Sequence, residues 1–530
     1  MKIRRALFTC TDKTGIAPLA LAMREQGAEI VATGKTAEIL KQAGIPITPI
    51  EKVSGSPEAF QGRMKTLSFP VCSGILYRRG DAVDEADLKK LGISPIDCVV
   101  VNFYPFEKAV ASGATGAKLV DEIDIGGPTL VRSAAKNSPH TLVLTHPSQY
   151  EGVIVQLKRD GEVGDATCAR AAAAAWDMIL AYDAAIAWEM GGQRRHALRY
   201  GENPHQRGWL EVDADSPIAW PAGGGQEAAL TPNELSYNNI LDLSAAFDLA
   251  CELKQIHGDG YTGVVIIKHN NPCGVAWVPK SGAPGDAQMR ALELAWAGDP
   301  VSAFGGVLLF TDPLSATVAP FFKERFVELI AAPELRAGQG VLAQLLSARK
   351  NLKAVRIERF VNTAVRLSTT VPGGRLVQTP DAGGAGPGGE ALRSVTEKAF
   401  PPAKSQLAAF GGAICRVVKS NSIVIVAEAP GGAFQLVGAG QGQPNRIDSL
   451  KILAVPRALS VLGQSGRALD DCVMVSDAFF PFRDTVDEAH RCGLRYIVQP
   501  GGSMKDKDSV QACNEHGMAM AFTGVRHFRH

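Results

Sequence analysis

The first 145 residues alternate strand-like and helix-like stretches, and this alternation constrains the fold more than any other feature of the sequence. Two helix-like stretches, 16–26 and 36–43, each follow a strand-like run. The strand-like runs are short and rich in apolar residues, and they are 6–9, 29–32, 98–103 and 141–145. Strands that alternate with helices predict an α/β fold with a parallel sheet and crossover helices. Ligands of such sheets bind beyond the carboxyl ends of the strands.

Polar clusters follow the first two predicted strands, at the point where each strand ends. Residues 9–15 read TCTDKTG, and residues 33–36 read TGKT. Hydroxyl groups, glycines and helix N-termini in such a place form an anion site. Simple N-capping by Thr or Asp explains either cluster alone equally well. The occurrence of both clusters, together with Arg63 and Lys65, favours a phosphate site.

The length of 530 residues is too great for one ordinary hydrophobic core, so we expect at least two domains. We place the boundary between the Ala-rich stretch 169–190 and Leu198. The formal net charge is +1, from 55 basic and 54 acidic residues, which argues against general attraction to nucleic acid or membranes. A local basic site for a phosphorylated small molecule remains compatible with this balance.

The localisation expected from the sequence is cytoplasmic. The ten cysteines are scattered and no two are spaced C-x-x-C, which is typical of free thiols in a reducing compartment. The apolar run after the basic start stops at Thr9, so a secretory signal is not expected. Four charged residues interrupt the Ala-rich stretch, which therefore predicts a soluble helix and not a membrane span.

Two short strings that look like nucleotide-binding motifs are set aside. Residues 34–36 read GKT, as at the end of a P-loop, but the glycine required five positions earlier is Glu29. Residues 384–389 satisfy G-x-G-x-x-G, but they lie in a Gly/Pro-rich stretch, 371–389, which predicts a surface loop. In a stretch so rich in glycine, a match to this pattern is expected by chance.

A zinc-deaminase signature is also incomplete. The dipeptide Pro272–Cys273 is not followed three residues later by a second cysteine, and no His-x-Glu precedes it. We therefore expect no catalytic metal, and we interpret the thiol as buried and structural.

The run 264–274, VVIIKHNNPCG, predicts a buried strand that delivers Lys268 and His269 to a sharp turn. A lone His at a strand end is more often structural than catalytic, but a neighbouring Lys changes this expectation. Successive strand residues point to opposite faces, whereas at the strand end both side chains can reach a cleft. There the ammonium can stabilise an oxyanion while the imidazole transfers protons near neutral pH.

Five further runs combine polar, glycine and aromatic residues, and they are 198–206, 299–306, 419–422, 438–446 and 476–484. The first is either a solvated linker or a ligand-binding segment. The third follows a strand-like stretch at 414–418. The last, SDAFFPFRD, is either an ordinary aromatic cluster of the core or the wall of a site for an aromatic ligand.

Taken together and in this order, these runs resemble one known family, the bifunctional phosphoribosylaminoimidazolecarboxamide (AICAR) formyltransferase/inosine-monophosphate (IMP) cyclohydrolases. The matching strings are RYGENPHQ, KHNNPCG, SAFGG and SDAFFPFRD. The resemblance extends over nearly the full length, from residues 12–15 to residues 526–530.

The resemblance implies that the second domain transfers a formyl group from 10-formyltetrahydrofolate to the 5-amino group of AICAR. By similarity, His269 transfers the proton, Lys268 is its electrostatic partner, and Asn421 positions the reacting groups. The positions implied to bind the substrate nucleotide are Arg199, Tyr200, Asn239, Gly305, Glu328, Arg446 and Arg526. The positions implied to line the folate side are Phe304, Phe479 and Asp484.

The resemblance implies that the first domain closes formyl-AICAR into the purine ring of IMP, with loss of water and without a cofactor. The matching catalytic positions are Lys65, Tyr104, Asp124 and Lys136. The positions implied to bind phosphate and ribose are Thr11, Lys13, Thr14, Gly15, Thr33, Gly34, Thr36 and Arg63.

The first domain also departs from the family's pattern. Ser68 and Cys72 replace two usual histidines, and Lys35 replaces a usual glycine. Lys35 either adds a phosphate contact or, if the position needs a positive φ, blocks close approach of the backbone. The sequence leaves both readings open. Because the four catalytic positions remain, we expect a working but altered cyclohydrolase.

The implied architecture is a methylglyoxal-synthase-like parallel-sheet domain over residues 1–195, followed over 196–530 by two tandem cytidine-deaminase-like α/β subdomains. The family also implies a homodimer whose transformylase sites lie at the subunit interface. Its partners are the small molecules AICAR, formyl-AICAR and IMP, with no nucleic acid and no membrane. Two alternatives remain: a formyltransferase with a non-catalytic first domain, and a purine-nucleotide-binding protein without turnover.

Overall fold

The computed structural model describes residues 1–60, 63–190, 195–213, 215–220, 230–231, 234–283, 285–381 and 392–530. The chain divides into two compact units, Met1–Gly192 and Gln193–His530. Each unit has its own sheet and its own hydrophobic core.

The N-terminal unit is built on a five-stranded parallel sheet. Its strands are β1 (Arg5–Cys10), β2 (Glu29–Ala32), β3 (Thr48–Pro49), β4 (Cys98–Asn102) and β5 (Leu142–Leu144). The spatial order is β3-β2-β1-β4-β5, and every neighbouring pair is parallel. The predicted α/β class is confirmed, and the strands and helices predicted over residues 6–145 lie within two residues of those observed, while the predicted helix 169–190 begins four residues earlier, at Asp165.

Helices cover both faces of this sheet, which is why its central strands are apolar at consecutive positions. The helices are α1 (Ile16–Glu25), α2 (Gly34–Gln42), α3 (Ile50–Ser54), α4 (Phe69–Leu76), α5 (Ala82–Leu91), α6 (Phe106–Ala111), α7 (Ala117–Asp121), α8 (Gly126–Lys136), α9 (Tyr150–Asp160) and α10 (Asp165–Met190). Ala6 and Phe8 of β1 pack in one buried cluster with α1 and α9. Leu7, between them, packs in a second cluster with α4, α8 and α10.

The C-terminal unit is built on one large mixed sheet. Its strands are β8 (Ile218–Ala219), β9 (Tyr261–Lys268), β10 (Asn271–Pro279), β11 (Val307–Phe310), β12 (Leu329–Pro333), β13 (Lys353–Ile357), β16 (Arg393–Ser394), β17 (Ile423–Ala429), β18 (Ala433–Gly440), β19 (Val473–Ser476), β20 (Tyr496–Gln499) and β21 (Ala519–Phe522). Two small hairpins lie outside it, β6 (Arg195–Leu198) with β7 (Gly208–Glu211), and β14 (Leu367–Val371) with β15 (Gly374–Gln378).

The large sheet consists of two halves with the same order of elements. Its strand order is β16-β21-β20-β19-β17-β18-β10-β9-β11-β12-β13-β8. Each half has a central antiparallel hairpin, β9–β10 or β17–β18, and three parallel strands outside it. The two hairpins meet where β10 pairs with β18. This duplication fits the two similar subdomains that the sequence predicts, while their cytidine-deaminase-like character stays a prediction.

Helices also cover both faces of the large sheet. They are α11 (Tyr237–His257), α12 (Asp286–Gly298), α13 (Pro300–Ala303), α14 (Gly340–Ala348), α15 (Ser405–Val417), α16 (Arg446–Asp448), α17 (Val455–Gln464), α18 (Asp484–Arg491) and α19 (Asp506–Glu515). α11 and α15 share one buried cluster with residues of both hairpins, among them Ile267 and Val424. On the other face, each half has its own cluster beneath its own helices.

Two local predictions for this unit need correction. Residues 414–418 are not a strand, because 414–417 form the last turn of α15. The buried residues of α15 include Leu407, Phe410, Ile414 and Val417, and this spacing of three and four is helical. The predicted loop 371–389 contains β15, the second strand of an exposed hairpin. The G-x-G-x-x-G string lies outside the described residues.

No helix in the described part of the chain is both long enough and apolar enough to cross a bilayer. Within the same residues, no group of three or more His, Cys, Asp or Glu side chains is arranged to hold a metal ion.

Candidate active site

One edge of the large sheet collects most of the motifs that the sequence singles out. Lys268 ends β9, and the strand register brings the start of β11 at Val307 beside it. On the other side of the sheet centre, Ile423 at the start of β17 lies opposite Gly440 at the end of β18 and Ser476 at the end of β19. The loops that leave this edge are 268–271, 299–306, 419–422, 441–446 and 477–484.

The Lys268–His269 pair lies at the tip of the β9–β10 hairpin. The hairpin is closed by a two-residue turn, since Lys268 pairs with Asn271. Both turn residues have positive φ, 52° at His269 and 60° at Asn270, which is the signature of a type I′ turn. Lys268 and His269 line the same cavity of about 210 Å³, as the sequence predicts for two residues at a strand end.

The cavity beside this pair is polar. Besides Lys268 and His269, its lining includes Asn271, Asp299, Gln441 and Arg457. The amide oxygens of Asn271 and Gln441 are buried without a hydrogen-bond partner among the described residues. They are therefore acceptors available to a ligand that carries N–H groups.

Cys273 also lines this cavity, and it behaves as an inert thiol. Its Sγ lies 3.5 Å from the carbonyl oxygen of Ile266. Burial raises the pKa of the Cys273 thiol to about 12, so it is protonated at neutral pH. This agrees with its interpretation as a buried structural thiol.

Gly305 fixes the position of the Lys268 ammonium. Lys268 Nζ donates to the Gly305 carbonyl oxygen at 2.6 Å. Gly305 has a φ of +67°, and a Cβ there would lie 3.2 Å from Lys268 Nζ. The neighbouring Phe304 is 58% exposed at the mouth of this region. Sequence reasoning assigned Phe304 and Gly305 to the substrate cleft, and the structure brings them to Lys268.

Glu328 lies on the same side of this edge. Its backbone N–H donates to the Gly306 carbonyl oxygen at 3.0 Å, directly before β12. Its carboxylate forms an ion pair with Lys353 at the start of β13. The charge of Glu328 is therefore already balanced by a neighbouring strand.

Asn421, Arg446 and Asp477 form a second polar cluster on the same edge. Arg446 Nη2 donates to Asn421 Oδ1 and to Asp477 Oδ1, both at 2.8 Å. Asn421 Nδ2 donates to the carbonyl oxygens of Gln443 and Pro444. Arg446 is 7% exposed and Asp477 only 1%, so this is a buried ion pair. Asn421 and Arg446 are thus held rigidly by the protein itself.

Among the described residues, no hydrogen bond or ion pair joins the second cluster to Lys268 or His269. In the sheet order, β17 is separated from β9 by β18 and β10. Three strand spacings amount to about 14 Å. Sequence reasoning grouped Asn421 with Lys268 and His269, and the structure puts them on one edge but not in contact.

Phe479 and the C-terminal segment surround the second cluster. The Phe479 carbonyl oxygen accepts from Arg446 Nη1 at 3.1 Å. His527 N–H donates to the Asp477 carbonyl oxygen, and Ser420 N–H to that of Arg529. Arg526 is exposed, as is Asp484 at the start of α18.

Three other predicted substrate residues lie elsewhere in this unit. Arg199 and Tyr200 follow β6, and the Arg199 guanidinium lies 5.1 Å from the centre of the Tyr200 ring. Asn239 is buried in the first turn of α11, where it exchanges hydrogen bonds with Ser236 in a capping box. The structure thus gives Asn239 a helix-capping role.

In the N-terminal unit, part of the predicted phosphate cluster is used by the fold. The buried Thr36 hydroxyl donates to the carbonyl oxygen of Cys10 and accepts from its N–H, both at 3.1 Å. The Thr33 hydroxyl donates to that of Thr9. These contacts tie the end of β1 to α2, but they are not N-capping, since the Thr33 side chain makes no capping hydrogen bond to α2.

The loop after β1 remains exposed. The N–H groups of Thr11 and Asp12 donate to Asn102 Oδ1, and the Thr14 N–H donates to Asp12 Oδ1. Lys13 Nζ donates to the Thr11 carbonyl oxygen. Gly15 has a φ of +72° at the start of α1, where few side chains are tolerated.

Lys65 lies close to residues 33–36, the second of the two polar clusters that predict a phosphate site. Its Nζ lies 3.1 Å from Glu58 Oε1 and 3.9 Å from where a Cβ on Gly34 would be. Gly34 has a positive φ of 37°, whereas Lys35 does not have a positive φ. Position 35 therefore does not need a glycine. Arg63 is exposed and lies 3.9 Å from Asp121.

Asp124 lies in a half-buried turn before α8. Its Oδ1 accepts from the Gly127 N–H at 2.8 Å, and its own N–H donates to the Tyr182 hydroxyl at 2.8 Å. Burial raises the pKa of Asp124, although hydrogen bonds from the backbone of Gly127 and Tyr104 oppose this. The Tyr104 ring is 48% exposed beside it.

Lys136 is not close to Asp124. It is exposed at the last position of α8, while Asp124 precedes the first. The 11 residues of this helix separate the two ends by about 15 Å. Within one chain, Lys65 lies near Gly34, and Tyr104 lies beside Asp124. Lys136 lies at the far end of α8 from Asp124.

The two positions at which the usual histidines are missing have structural roles. Ser68 is the N-cap of α4, and its Oγ accepts from the Val71 N–H. Cys72 is half-buried in the first turns of that helix, and burial raises its pKa. Neither side chain can replace an imidazole in proton transfer near neutral pH.

Three residues important for this geometry were not predicted from the sequence: Asp242, Asp477 and Tyr182. Asp477 lies in the run 476–484, directly after the end of β19, and this position at a strand end was the available signal. Asp242 and Tyr182 lie on helices distant in sequence from the groups they contact. No sequence signal identifies them.

Two family models and several curated proteins match this chain. A model of the AICARFT/IMPCHase bienzyme family matches residues 134–456, and an MGS-like domain model matches residues 15–129. The chain is 38% identical to the bifunctional purine biosynthesis protein PurH of Synechocystis sp., over 99% of this chain and 100% of that protein. It is 37% identical to PurH of Sorangium cellulosum, over 100% of both.

A solved structure titled ForH is 31% identical and covers 35% of this chain and 96% of its own, with a TM-score of 0.32. The family match covers more than half of the chain, and the curated relatives are aligned from end to end. The chain therefore belongs to the AICARFT/IMPCHase bienzyme family.

Proposed function

We propose that this chain catalyses two consecutive steps of purine biosynthesis, formyl transfer to AICAR and ring closure of formyl-AICAR to IMP. The observation that carries this proposal is the Lys268–His269 turn, which directs an ammonium and an imidazole into one polar cavity. Full-length similarity to proteins named bifunctional PurH supports both activities rather than either alternative.

In the first step, the 5-amino nitrogen of AICAR attacks the formyl carbon of a folate one-carbon donor, which we take to be 10-formyltetrahydrofolate. A C–N bond forms to AICAR and the bond from the formyl carbon to the folate nitrogen breaks. The His269 imidazole accepts the amine proton and returns it to the leaving nitrogen. The Lys268 ammonium, held by the Gly305 carbonyl, stabilises the oxyanion of the tetrahedral intermediate.

In the second step, the carboxamide nitrogen attacks the formyl carbon and water leaves. The carboxamide nitrogen loses one proton and the formylamino nitrogen loses another, while the departing oxygen gains both, so one group that can both accept and donate a proton is useful. Asp124 has a raised pKa and adjoins Tyr104 and the Lys65–Thr66 segment. We assign the proton transfer to this group, with Lys65 and Tyr104 binding the substrate. The role of Lys136 stays a prediction from the resemblance.

A homodimer would reconcile the two separated polar clusters of the formyl-transfer edge. Asn421 precedes β17, which lies three strand spacings, about 14 Å, from the strand that Lys268 ends, so a site that uses both residues can combine clusters from two copies. We propose this arrangement, which places folate and AICAR between Phe304 of one copy and the Asn421–Arg446 cluster of the other.

All ten cysteines are unpaired, which supports a cytoplasmic location.

The proposed activities are tested with the full-length chain and two separate assays. AICAR and 10-formyltetrahydrofolate should give tetrahydrofolate, and formyl-AICAR alone should give IMP, followed by purine absorbance. An Asp124→Asn variant should lose the second reaction by about 100-fold and keep the first. No conversion of formyl-AICAR by the native chain above its spontaneous rate would support the monofunctional alternative.

The shared site is tested by mixing two inactive variants, His269→Ala and Asn421→Ala, under conditions that exchange subunits. If one site uses both residues from different copies, half of the dimers are mixed and each restores one of two sites. The expected formyl-transfer activity is about a quarter of that of the native dimer. Activity no greater than that of the separate variants would contradict the arrangement.

A further inference from the structure

Asp242 contacts the turn that carries the proposed catalytic pair. It lies on α11, 26 positions before Lys268, and its side chain is buried. One carboxylate oxygen accepts from the His269 N–H at 3.2 Å, and the other accepts from the Asn270 N–H at 2.7 Å. A single side chain thus satisfies both central N–H groups of the turn.

The turn needs such a partner because its residues are not those that the geometry favours. A type I′ turn requires positive φ at both central positions, which strongly favours Asn followed by Gly. Here His269 and Asn270 occupy those positions, with φ of 52° and 60°. A non-glycine residue in this region costs on the order of 1 kcal/mol, so surrounding contacts must hold it.

The carboxylate also has favourable charges around it. Burial raises the pKa of Asp242, while its two backbone hydrogen bonds and, to a smaller extent, the His269 and Lys268 side chains oppose this rise. Its bonds go to backbone N–H groups and not to the imidazole ring. The geometry is that of a support for the turn and not of a proton relay.

We propose that Asp242 is a positioning residue for formyl transfer, because it holds the turn 268–271 in the conformation that directs Lys268 and His269 into one cavity. This inference rests on the proposed formyl-transfer function. It extends the site to a residue on a helix that does not line the cavity.

The test is an Asp242→Asn variant of the full-length chain. The amide keeps one acceptor oxygen, but its NH₂ group cannot accept from the second turn N–H. We expect kcat for formyl transfer to fall by at least tenfold. The conversion of formyl-AICAR to IMP by the same preparation should stay within twofold of native, which shows that the N-terminal unit is unaffected.

A second substitution distinguishes positioning from other roles. Asn270→Gly supplies the residue that a type I′ turn prefers, so the turn no longer depends on the carboxylate. The double variant Asp242→Asn/Asn270→Gly should recover formyl transfer to within threefold of native. The control is Asp248→Asn on the same helix, a carboxylate that accepts from Asn362 Nδ2 and not from the turn, and it should stay within twofold.

Three results separate the possible failures. If Asp242→Asn transfers formyl groups within threefold of native, Asp242 does not position the pair. If the single variant is impaired and Asn270→Gly does not restore it, Asp242 acts by another route and the inference is wrong. If the native chain itself forms no formyl-AICAR, the proposed function fails, and the inference with it.

Discussion

The two catalytic regions hold their functional groups in different ways. In the C-terminal unit, buried partners fix the backbone and side chains: Asp242 holds the His269 turn, and Asp477 holds Arg446. In the N-terminal unit, Lys65 is paired with a partly exposed Glu58, and the Tyr104 ring is about half exposed. We infer that the formyl-transfer site is largely organised by the fold, so its supporting residues should matter more there than in the ring-closure site.

The largest effect is expected from breaking the buried ion pair of the formyl-transfer edge. Asp477→Ala leaves the Arg446 guanidinium buried without a counter-charge, which costs about 3 kcal/mol or more in the free energy of unfolding. Formyl transfer should fall at least 100-fold, and ring closure should persist. Denaturant unfolding and the two assays measure these effects, with Asp160→Ala at an exposed pair as the control. A change below 1 kcal/mol would show that the pair is not structurally important.

A buried histidine is expected to make the stability of the C-terminal unit depend on pH. His257 packs among Tyr261, Phe410 and Phe434, and burial lowers its pKa from 6.5 to about 4. Between these values the unfolded chain binds more protons, so this contribution is complete above pH 6.5 and is lost as the pH falls towards 4. The loss is on the order of 3 kcal/mol. His257→Phe should flatten the pH dependence of unfolding, and an unchanged slope would contradict this origin.

A matched pair of glycine substitutions compares the two sites directly. Gly305 and Gly34 both have positive φ and both face a proposed functional lysine, Lys268 and Lys65 respectively. A Cβ would lie 3.2 Å from Lys268 Nζ but 3.9 Å from Lys65 Nζ. We expect Gly305→Ala to lower formyl transfer by about tenfold, and Gly34→Ala to lower ring closure by about threefold. Equal losses, or the reverse order, would remove the contrast between the sites.

The smallest effect is expected at Ser68, which caps α4 where the family usually has histidine. Ser68→Ala should lower the stability of the N-terminal unit by about 1 kcal/mol, because the Val71 N–H loses its acceptor. Formyl transfer should not change. Ser68→Gly is the comparison variant, since glycine is a better N-cap than alanine and should lose less. A loss of ring closure without a loss of stability would instead indicate a catalytic hydroxyl.

The parts of the fold that local patterns determine could be predicted from the sequence. Four of the five N-terminal strands are short apolar runs bounded by polar residues, and their predicted bounds lie within two residues of those observed, whereas the two-residue β3 is not predicted. The stretch 414–418 was misread because its five residues, taken alone, are rich in β-branched side chains. Only the longer pattern from Leu407 to Val417 shows the helical spacing.

The functional geometry was predictable only where neighbours in sequence are neighbours in space. Lys268 and His269 share a cavity because both end one strand. The left-handed turn was not predictable, since His–Asn is not a turn dipeptide of that type and its support comes from Asp242 on a distant helix. The separation of Asn421 from Lys268 depends on strand order in a 12-stranded sheet, which local patterns do not encode.

The central claim is that the His269 imidazole moves the amine proton during formyl transfer. The most direct measurement is the rate of tetrahydrofolate release by the full-length His269→Ala variant, without and with added imidazole. The account predicts a loss of about 100-fold or more, partly restored by imidazole, with ring closure unchanged. A variant within threefold of the native rate would contradict it.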